Sequence, residues 1–235
     1  MNNQKASSTM AMQKRQLKRI CKGTNEGRRV AIEHELSSKK VDYKVLNEGT
    51  LVVPAKTHKK HDTIAICAHY DVVDGSKGYN DNGMSIVIAL GMLERLPDNV
   101  EVVFTNGEEC GQTGAWEYYG EMRDDLKACV VLDVCGCFDA VYLDPKNCKE
   151  AKGLPECKKG HMPRSDADVF DLVDVPAVCF STGPADADFQ TGIMAICSTI
   201  HCKKGDNDFS LLNFEMIPKV QAKALELIGL INQTP

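Results

Sequence analysis

Two histidines and four carboxylates in this chain have the residue types of a metal centre: His69, Asp81, Glu108, Glu109, Asp133 and His201. Neutral imidazoles and carboxylate oxygens are the ligands of borderline divalent metals such as zinc, manganese or cobalt. Five such groups, one of them a bridging carboxylate, suit two ions about 3.5–4 Å apart. A pair of that kind clamps a water as hydroxide and polarises a carbonyl. The remaining carboxylate can then carry the proton from that water to a leaving amine.

Each residue also has a plainer reading. Asp81 alone suits a helix N-cap, and Glu108-Glu109 an acidic pair favoured near the start of a helix. Asp133 suits a turn after a strand, and His201 an exposed surface position. Position argues for the joint reading, because the polar residues fall repeatedly at the ends of apolar runs, where open α/β sheets build their sites.

The elements that must hold them follow from hydrophobic periodicity. Thr63 to Ala68 is a continuous apolar run, expected of a strand covered on both faces, and it ends in His69. Asp81 opens a helix expected over Met84 to Leu96. Val100 to Phe104 is a second buried strand, leading to Asn106-Gly107-Glu108-Glu109. A helix from Gly114 to Met122 precedes a strand, Lys127 to Leu132, that ends in Asp133. Val175 to Phe180 is a further strand, and a closing helix spans about Ile217 to Ile231. Upstream, Ser8 to Lys22 reads as a helix whose Lys14, Arg15, Lys18, Arg19 and Lys22 form a solvated basic face. Asn25 is the expected cap of a second helix, with Val30, Ala31 and Leu36 toward the core. Short strands at Tyr43 to Leu46 and Thr50 to Val53 flank a turn. Asp144 to Arg164, rich in lysine, glycine and proline, reads as an excursion from the core. Its Cys148, Cys157 and His161 fit no zinc spacing and read as a surface loop with free thiols. His58 and His61 read as exposed loop histidines.

A chain of 235 residues, 43% hydrophobic and 26% charged, suits one sizeable α/β domain over 1–235. A net charge of −5 gives no general case for nucleic-acid or membrane binding. No apolar segment resembles a signal or spanning helix, and the eleven cysteines are odd in number. They are expected as reduced thiols in a cytoplasmic protein, with Cys67, Cys129 and Cys179 inside strands.

The motifs resemble those of the co-catalytic zinc aminopeptidases of peptidase clan MH, which include bacterial leucyl-type aminopeptidases and glutaminyl-cyclase relatives. His69-Tyr70-Asp71 matches the family's His-x-Asp element, Asn80-Asp81-Asn82-Gly83 its Asn-Asp-Asn loop, and Gly107-Glu108-Glu109 its Glu-Glu pair. Leu132-Asp133 matches its strand-end aspartate and Ile200-His201 its final histidine. The resemblance implies a three-layer α/β/α sandwich around a mixed, mostly parallel sheet. It assigns His69 and Asp133 to one metal, Glu109 and His201 to the other, and Asp81 to both. Glu108 becomes the general base, and Asp71 accepts a hydrogen bond from the non-ligating nitrogen of His69. Zinc is the implied ion, while cobalt or manganese suits the same oxygen-rich donors. Two departures stand out. Ser165-Asp166-Ala167 replaces the frequent Ser-Asp-His, and the spacing from His201 to Asp206 is one residue longer than usual, which weakens a supporting role for Asp206.

The resulting expectation is a dinuclear exopeptidase, an aminopeptidase acting on peptide or aminoacyl substrates. The alternatives are an amidohydrolase or deacylase of amino-acid conjugates and a metal-binding interaction domain without turnover. The cyclase relatives bind one zinc through fewer ligands, so the five-ligand set argues against them. No cluster of arginines accompanies the motifs to hold a substrate's C-terminal carboxylate. Two acidic loops, Asp186-Ala187-Asp188 and Asp206-Asn207-Asp208, suit either a rim for a substrate ammonium or plain solvated loop. The pattern specifies no oligomeric state.

Overall fold

The computed structural model describes residues 2–234. In chain order they form α1 (Asn2–Ile20), α2 (Asn25–Ser38), β1 (Lys44–Val45), β2 (Leu51–Val53), β3 (Thr63–His69) and α3 (Met84–Leu90). Then come β4 (Val100–Thr105), α4 (Thr113–Met122), β5 (Leu126–Leu132), β6 (Ala140–Asp144), α5 (Lys149–Gly153) and β7 (Lys158–Lys159). The last are α6 (Ala167–Leu172), β8 (Ala177–Gly183), α7 (Phe189–Cys197), α8 (Lys204–Asn207) and α9 (Met216–Gln233).

The strands make one sheet in the order β1-β2-β4-β3-β5-β8-β6-β7. Its centre, β4-β3-β5-β8, is parallel, while β2 pairs antiparallel with β4 and β6 antiparallel with β8. The continuous apolar run of β3 is explained by its two neighbours and two covered faces. Ile64, Ile66 and Ala68 point into a core shared with α1, α2, α3 and α9, while Ala65 and Cys67 point into a second core with α4 and α6. That alternation is the period of two of a strand. Each fully buried aliphatic side chain contributes roughly 1.5–3 kcal/mol relative to exposure. The α/β/α sandwich is therefore held mainly by the strands that carry the polar tips. α9 docks through Val220, Ala224, Leu227, Ile228 and Ile231, a three-to-four spacing. Among the described residues no helix is long and apolar enough to cross a membrane.

Several local expectations need correction. Thr24, not Asn25, caps α2, its side chain accepting from Gly27 N. Asn25 instead accepts the Val72 N–H through Oδ1 at 3.0 Å, outside the helix. Val30 is 50% exposed, while Arg28 takes the buried face. The helix expected to Leu96 ends at Leu90, before Gly91, and a short turn follows at Leu93–Arg95. Asp144 to Arg164 is less of an excursion than expected. Tyr142 and Leu143 of β6 pair with Lys158 and Lys159 of β7 at the sheet edge, and Cys148, Ala151 and Leu154 are buried in the main core. The short β6 and the helix α7 had no clear periodic signal. The basic face of α1 is partly engaged: Lys14 and Lys18 sit over the rings of Phe214 and Phe209, and Arg19 pairs with Glu35 at 2.6 Å.

All eleven cysteines are free thiols, and Cys67, Cys129 and Cys179 lie buried in strands. Burial also pushes the Cys67 and Cys179 thiols well up, keeping them protonated and unreactive. A thiol reagent should therefore modify the exposed Cys110 and Cys202 quickly in the native protein. Cys67, Cys129 and Cys179 should react only after denaturation. Rapid native labelling of Cys67 or Cys129, located by peptide mapping, would contradict this core.

Candidate metal centre

The two oxygens of Asp81 face two different histidines. Oδ1 lies 3.1 Å from His69 Nε2, and Oδ2 lies 3.4 Å from His201 Nε2. On the first side, Asp133 Oδ1 is 3.4 Å from the same His69 nitrogen. On the second, Glu109 Oε2 is 3.0 Å from His201 Nε2. Three groups of donor atoms lie no more than 4.8 Å apart: His69-Glu108-Glu109, and two triads that share Asp81, His69-Asp81-Asp133 and Asp81-Glu109-His201. Each of these two triads could hold a divalent ion, with Asp81 common to both.

The parallel strands deliver these groups from their carboxyl ends, as the apolar runs foretold. β3 ends in His69, β5 is followed by Asp133, and β4 leads through Asn106-Gly107 to the two glutamates. Gly107 turns the chain there at φ +78°, where a side chain is disfavoured. Asp81 is set by its neighbours. Asn82 donates from Nδ2 to the Leu132 carbonyl (2.9 Å) and accepts the Val134 N–H (3.2 Å), so it brackets Asp133. Asn80 accepts from Gly136 N and Cys137 N through Oδ1 and donates to Thr199 Oγ1 at 2.9 Å, two residues before His201. The Asn-Asp-Asn order thus has a mechanical reason.

Asp206 does more than its spacing suggested. It is fully buried, and its Oδ1 accepts the N–H groups of Asn80 (3.1 Å) and Asp81 (3.0 Å). Ser76 donates its hydroxyl to the other oxygen. Within the short helix α8, Gly205 and Asp206 are the buried residues, which turns Asp206 inward. Asp71 also meets His69: Nδ1 lies 3.2 Å from the Asp71 carbonyl and 3.5 Å from its carboxylate. That carboxylate accepts the N–H groups of Glu108 (3.2 Å) and Glu109 (3.1 Å), tying the end of β3 to the loop after β4. Burial would raise the Asp71 carboxyl, but His69 and these N–H donors hold it below the ordinary range.

Arg28 is a residue the sequence did not single out. It is completely buried, and among the described residues no carboxylate pairs with it. Its guanidinium instead donates to the carbonyls of Tyr70, Lys77 and Gly78, both ends of the loop between His69 and Asp81. Gly78 gives it room: a Cβ there would stand 2.6 Å from Arg28 Nη1. An arginine two residues before an exposed valine gave no helical-face signal that could mark it.

The electrostatics are those of crowded anions. Burial, opposed by His69 and reinforced by Asp133, Asp166 and Glu109, pushes Glu108 up to about 9. Burial and Asp81 push Glu109 up to about 7. Burial alone would lower His69, but Asp133, Asp71 and Asp81 hold its imidazolium well above the ordinary range. Glu109 Oε1 and Asp133 Oδ1 are buried with no hydrogen-bond partner. Orphaned carboxylate oxygens beside imidazole nitrogens are the donor set that divalent cations satisfy. The residues present fit two such ions.

Beside the triads lies a cavity of about 380 Å³, lined by Glu108, Gln112 and Arg164 as well as by the ligand-type residues. Val134, Met162, Ile193, Ile196 and Ile200 form its apolar wall. Neither acidic loop lines it: Asp188 caps α7, Asp206 is buried under Asp81, and Asp208 accepts from Ser210 N. Cys148, Cys157 and His161 do not gather either, since His161 projects into solvent at 95% side-chain exposure. His58 is half exposed beside the buried Glu101, at 3.8 Å.

The crowding predicts how the metal-stripped protein responds to pH. Glu108 and Glu109 titrate near 4.5 when unfolded and near 9 and 7 when folded. From 4.5 upward the folded chain holds protons that the unfolded chain has released, so stability falls as pH rises and levels off above 9. His69 acts in the same direction, its contribution complete below 6.5 and lost as pH climbs through its raised value. Melting temperatures of chelator-treated protein should therefore decline across this window, and added zinc should remove most of the slope. A flat or rising profile without metal would contradict the crowding.

Comparison with known proteins gives the fold a lineage. No curated protein matches the sequence. Among solved structures, the chain is similar to the LapA aminopeptidase of Legionella pneumophila, with TM-score 0.70 and 15% identity over 100% of this chain and 75% of that one. It is similar to BSAP, a zinc aminopeptidase from Bacillus subtilis, with TM-score 0.59 and 19% identity over 77% of this chain and 48% of that one. A glutaminyl cyclase from Fimbriiglobus ruber gives TM-score 0.64 and 14% identity over 94% and 95%. The chain spans about half the length of the Bacillus subtilis enzyme, and at these identities the likeness is one of fold. A family model does reach the sequence itself: that of peptidase family M28 matches residues 50–193, more than half of the chain and the stretch that holds His69, Asp81, Glu108, Glu109 and Asp133. The chain belongs to peptidase family M28.

Proposed function

We propose that this chain is a dinuclear metal-dependent aminopeptidase, a single catalytic domain that removes N-terminal residues from short peptides in the cytoplasm. The observation that carries this reading is Asp81, whose two oxygens face His69 and His201 separately. In the proposed assignment His69 and Asp133 would hold one ion, Glu109 and His201 would hold the second, and Asp81 would serve both. Zinc suits these donors, as do cobalt and manganese. When bound, the ions supply Lewis-acid polarisation of the scissile carbonyl and make a water acidic enough to attack at neutral pH.

The chain's own residues do the rest. Asp71 keeps the Nδ1 face of His69 occupied, leaving Nε2 toward the ligands. Glu108 lines the cavity and lies within 4.8 Å of donor atoms of His69 and Glu109, while the two triads that share Asp81 are complete without it. Its high proton affinity in the bare site falls when cations stand nearby, which brings it toward the range of a general base. Its carboxylate takes the proton of the attacking water and delivers it to the leaving nitrogen. The surrounding carboxylates attract a substrate ammonium, and the apolar wall receives an apolar side chain. Free thiols throughout the core support the cytoplasmic assignment.

A dipeptide with a free N-terminus should be cleaved, and its N-acetylated twin far more slowly, as followed by release of the first amino acid. Equal or faster cleavage of the acetylated peptide would remove the aminopeptidase reading and favour a deacylase. The cyclase of similar length is separated by metal counting, because the two triads require two ions per chain.

Glu108→Gln removes the proposed proton carrier and leaves both triads intact. Turnover should fall by about 10²–10⁴-fold with two metals still bound. Near-normal turnover at full metal occupancy would exclude Glu108 from the reaction.

A further inference from the structure

The polar lining of the cavity is anionic or neutral except at one place. Asp81, Glu108, Glu109 and Asp133 contribute carboxylates, and Arg164 contributes a guanidinium. Arg164 is exposed, but it is not loose. Its Nε donates to Gln112 Oε1 at 2.9 Å. Gln112 is itself buried, and its Nε2 donates to the Ser165 carbonyl. It holds a left-handed backbone conformation, φ +64°, that non-glycine residues rarely take. One edge of the guanidinium is thus gripped by a fixed amide. Among the described residues the two terminal nitrogens have neither a hydrogen bond nor an ion pair.

A guanidinium held in this way presents a planar fork that matches a carboxylate in two-pronged fashion. We infer that Arg164, oriented by Gln112, binds a carboxylate that follows directly after the scissile amide. The preferred substrates are then dipeptides, whose C-terminal carboxylate lies there, or peptides with an acidic residue at that position. The inference rests on the aminopeptidase reading for its chemistry and on the cavity alone for its binding.

The dimensions agree. In a dipeptide the carboxylate carbon follows the scissile carbonyl by three bonds, about 4.3 Å along the chain. Gln112 is three residues beyond Glu109, no more than about 11 Å of extended chain. The 380 Å³ cavity includes both, and it is at the small end for ligand pockets, which run from about 300 to 1,000 Å³. A free dipeptide is a zwitterion. Its ammonium suits the carboxylate end of this cavity and its carboxylate suits Arg164.

The test compares Leu-Ala, Leu-Ala-amide and Leu-Asp-amide as substrates of the metal-loaded chain and of its Arg164→Met variant, a change at an exposed position. The chain's single tryptophan, Trp116, lines an adjoining hollow with Gln112 and Arg164. Its fluorescence therefore gives a binding readout for the same peptides in Glu108→Gln protein, with and without the second substitution. The unsubstituted chain should prefer Leu-Ala over Leu-Ala-amide by about 10–100-fold, the worth of one charge-assisted two-pronged contact. In Arg164→Met that ratio should collapse to near one, in kcat/KM and in Kd alike. Preference for Leu-Asp-amide over Leu-Ala-amide, lost in the same variant, would add side-chain carboxylates to the ligands of this subsite. If no peptide is cleaved, the aminopeptidase reading fails, and the Kd ratio still decides the carboxylate site. Absence of discrimination in the unsubstituted chain, or a ratio unchanged by Arg164→Met, would overturn the inference.

Discussion

Carboxylates buried together repel one another, and the architecture around this site answers that repulsion. Asp81, Asp133 and Glu109 converge with His69 and His201 as their ion-pair partners, and Glu108 stands beside them. An uncompensated charge in a protein interior costs several kcal/mol, so such a cluster must gain protons, cations or donors. The raised proton affinities of Glu108 and Glu109 describe the first solution. The orphaned oxygens of Glu109 and Asp133 point to the second.

Donors supply the third. The supporting carboxylates Asp71 and Asp206 take backbone N–H groups from the loops that carry Asp81, Glu108 and Glu109, so each anion is stabilised and each loop is pinned in one contact. Arg28 applies the complementary chemistry, a buried cation satisfied by backbone carbonyls. Both devices fix loop backbone with charged hydrogen bonds, which are about twice as strong as neutral ones. They place the ligand-type groups before any ion arrives, so little conformational entropy is lost on binding.

Much of this was legible in the sequence, for identifiable reasons. The central strands were readable because two covered faces demand unbroken apolar runs, and the polar residue ending each run marked the site. His69, Asp81, Glu109, Asp133 and His201 do converge in space. Arg28 and Asp206 were hidden because their partners are backbone atoms 40 and more residues away, which leave no trace in local pattern. α7 was missed because its buried face is supplied by Gly192 and Ile196 alone, and β6 because it runs into the lysine-, glycine- and proline-rich stretch read as an excursion. Arg164 looked like one more charge in an irregular loop. Only the fold brings it beside Gln112 and into the cavity.

The loop from Tyr70 to Gly78 is held from upstream by Arg28, and Asp81 from downstream by Asp206. Neither residue falls within the stretch that the family model recognises, 50–193, nor does His201. The recognisable family core therefore lacks groups that pin the carboxylate cluster in this chain. Any trimmed version meant for crystallography, fusion or transplantation into another scaffold must keep α2 and α8 as well as the sheet. Its boundaries are set by electrostatic anchoring and not by where sequence similarity fades.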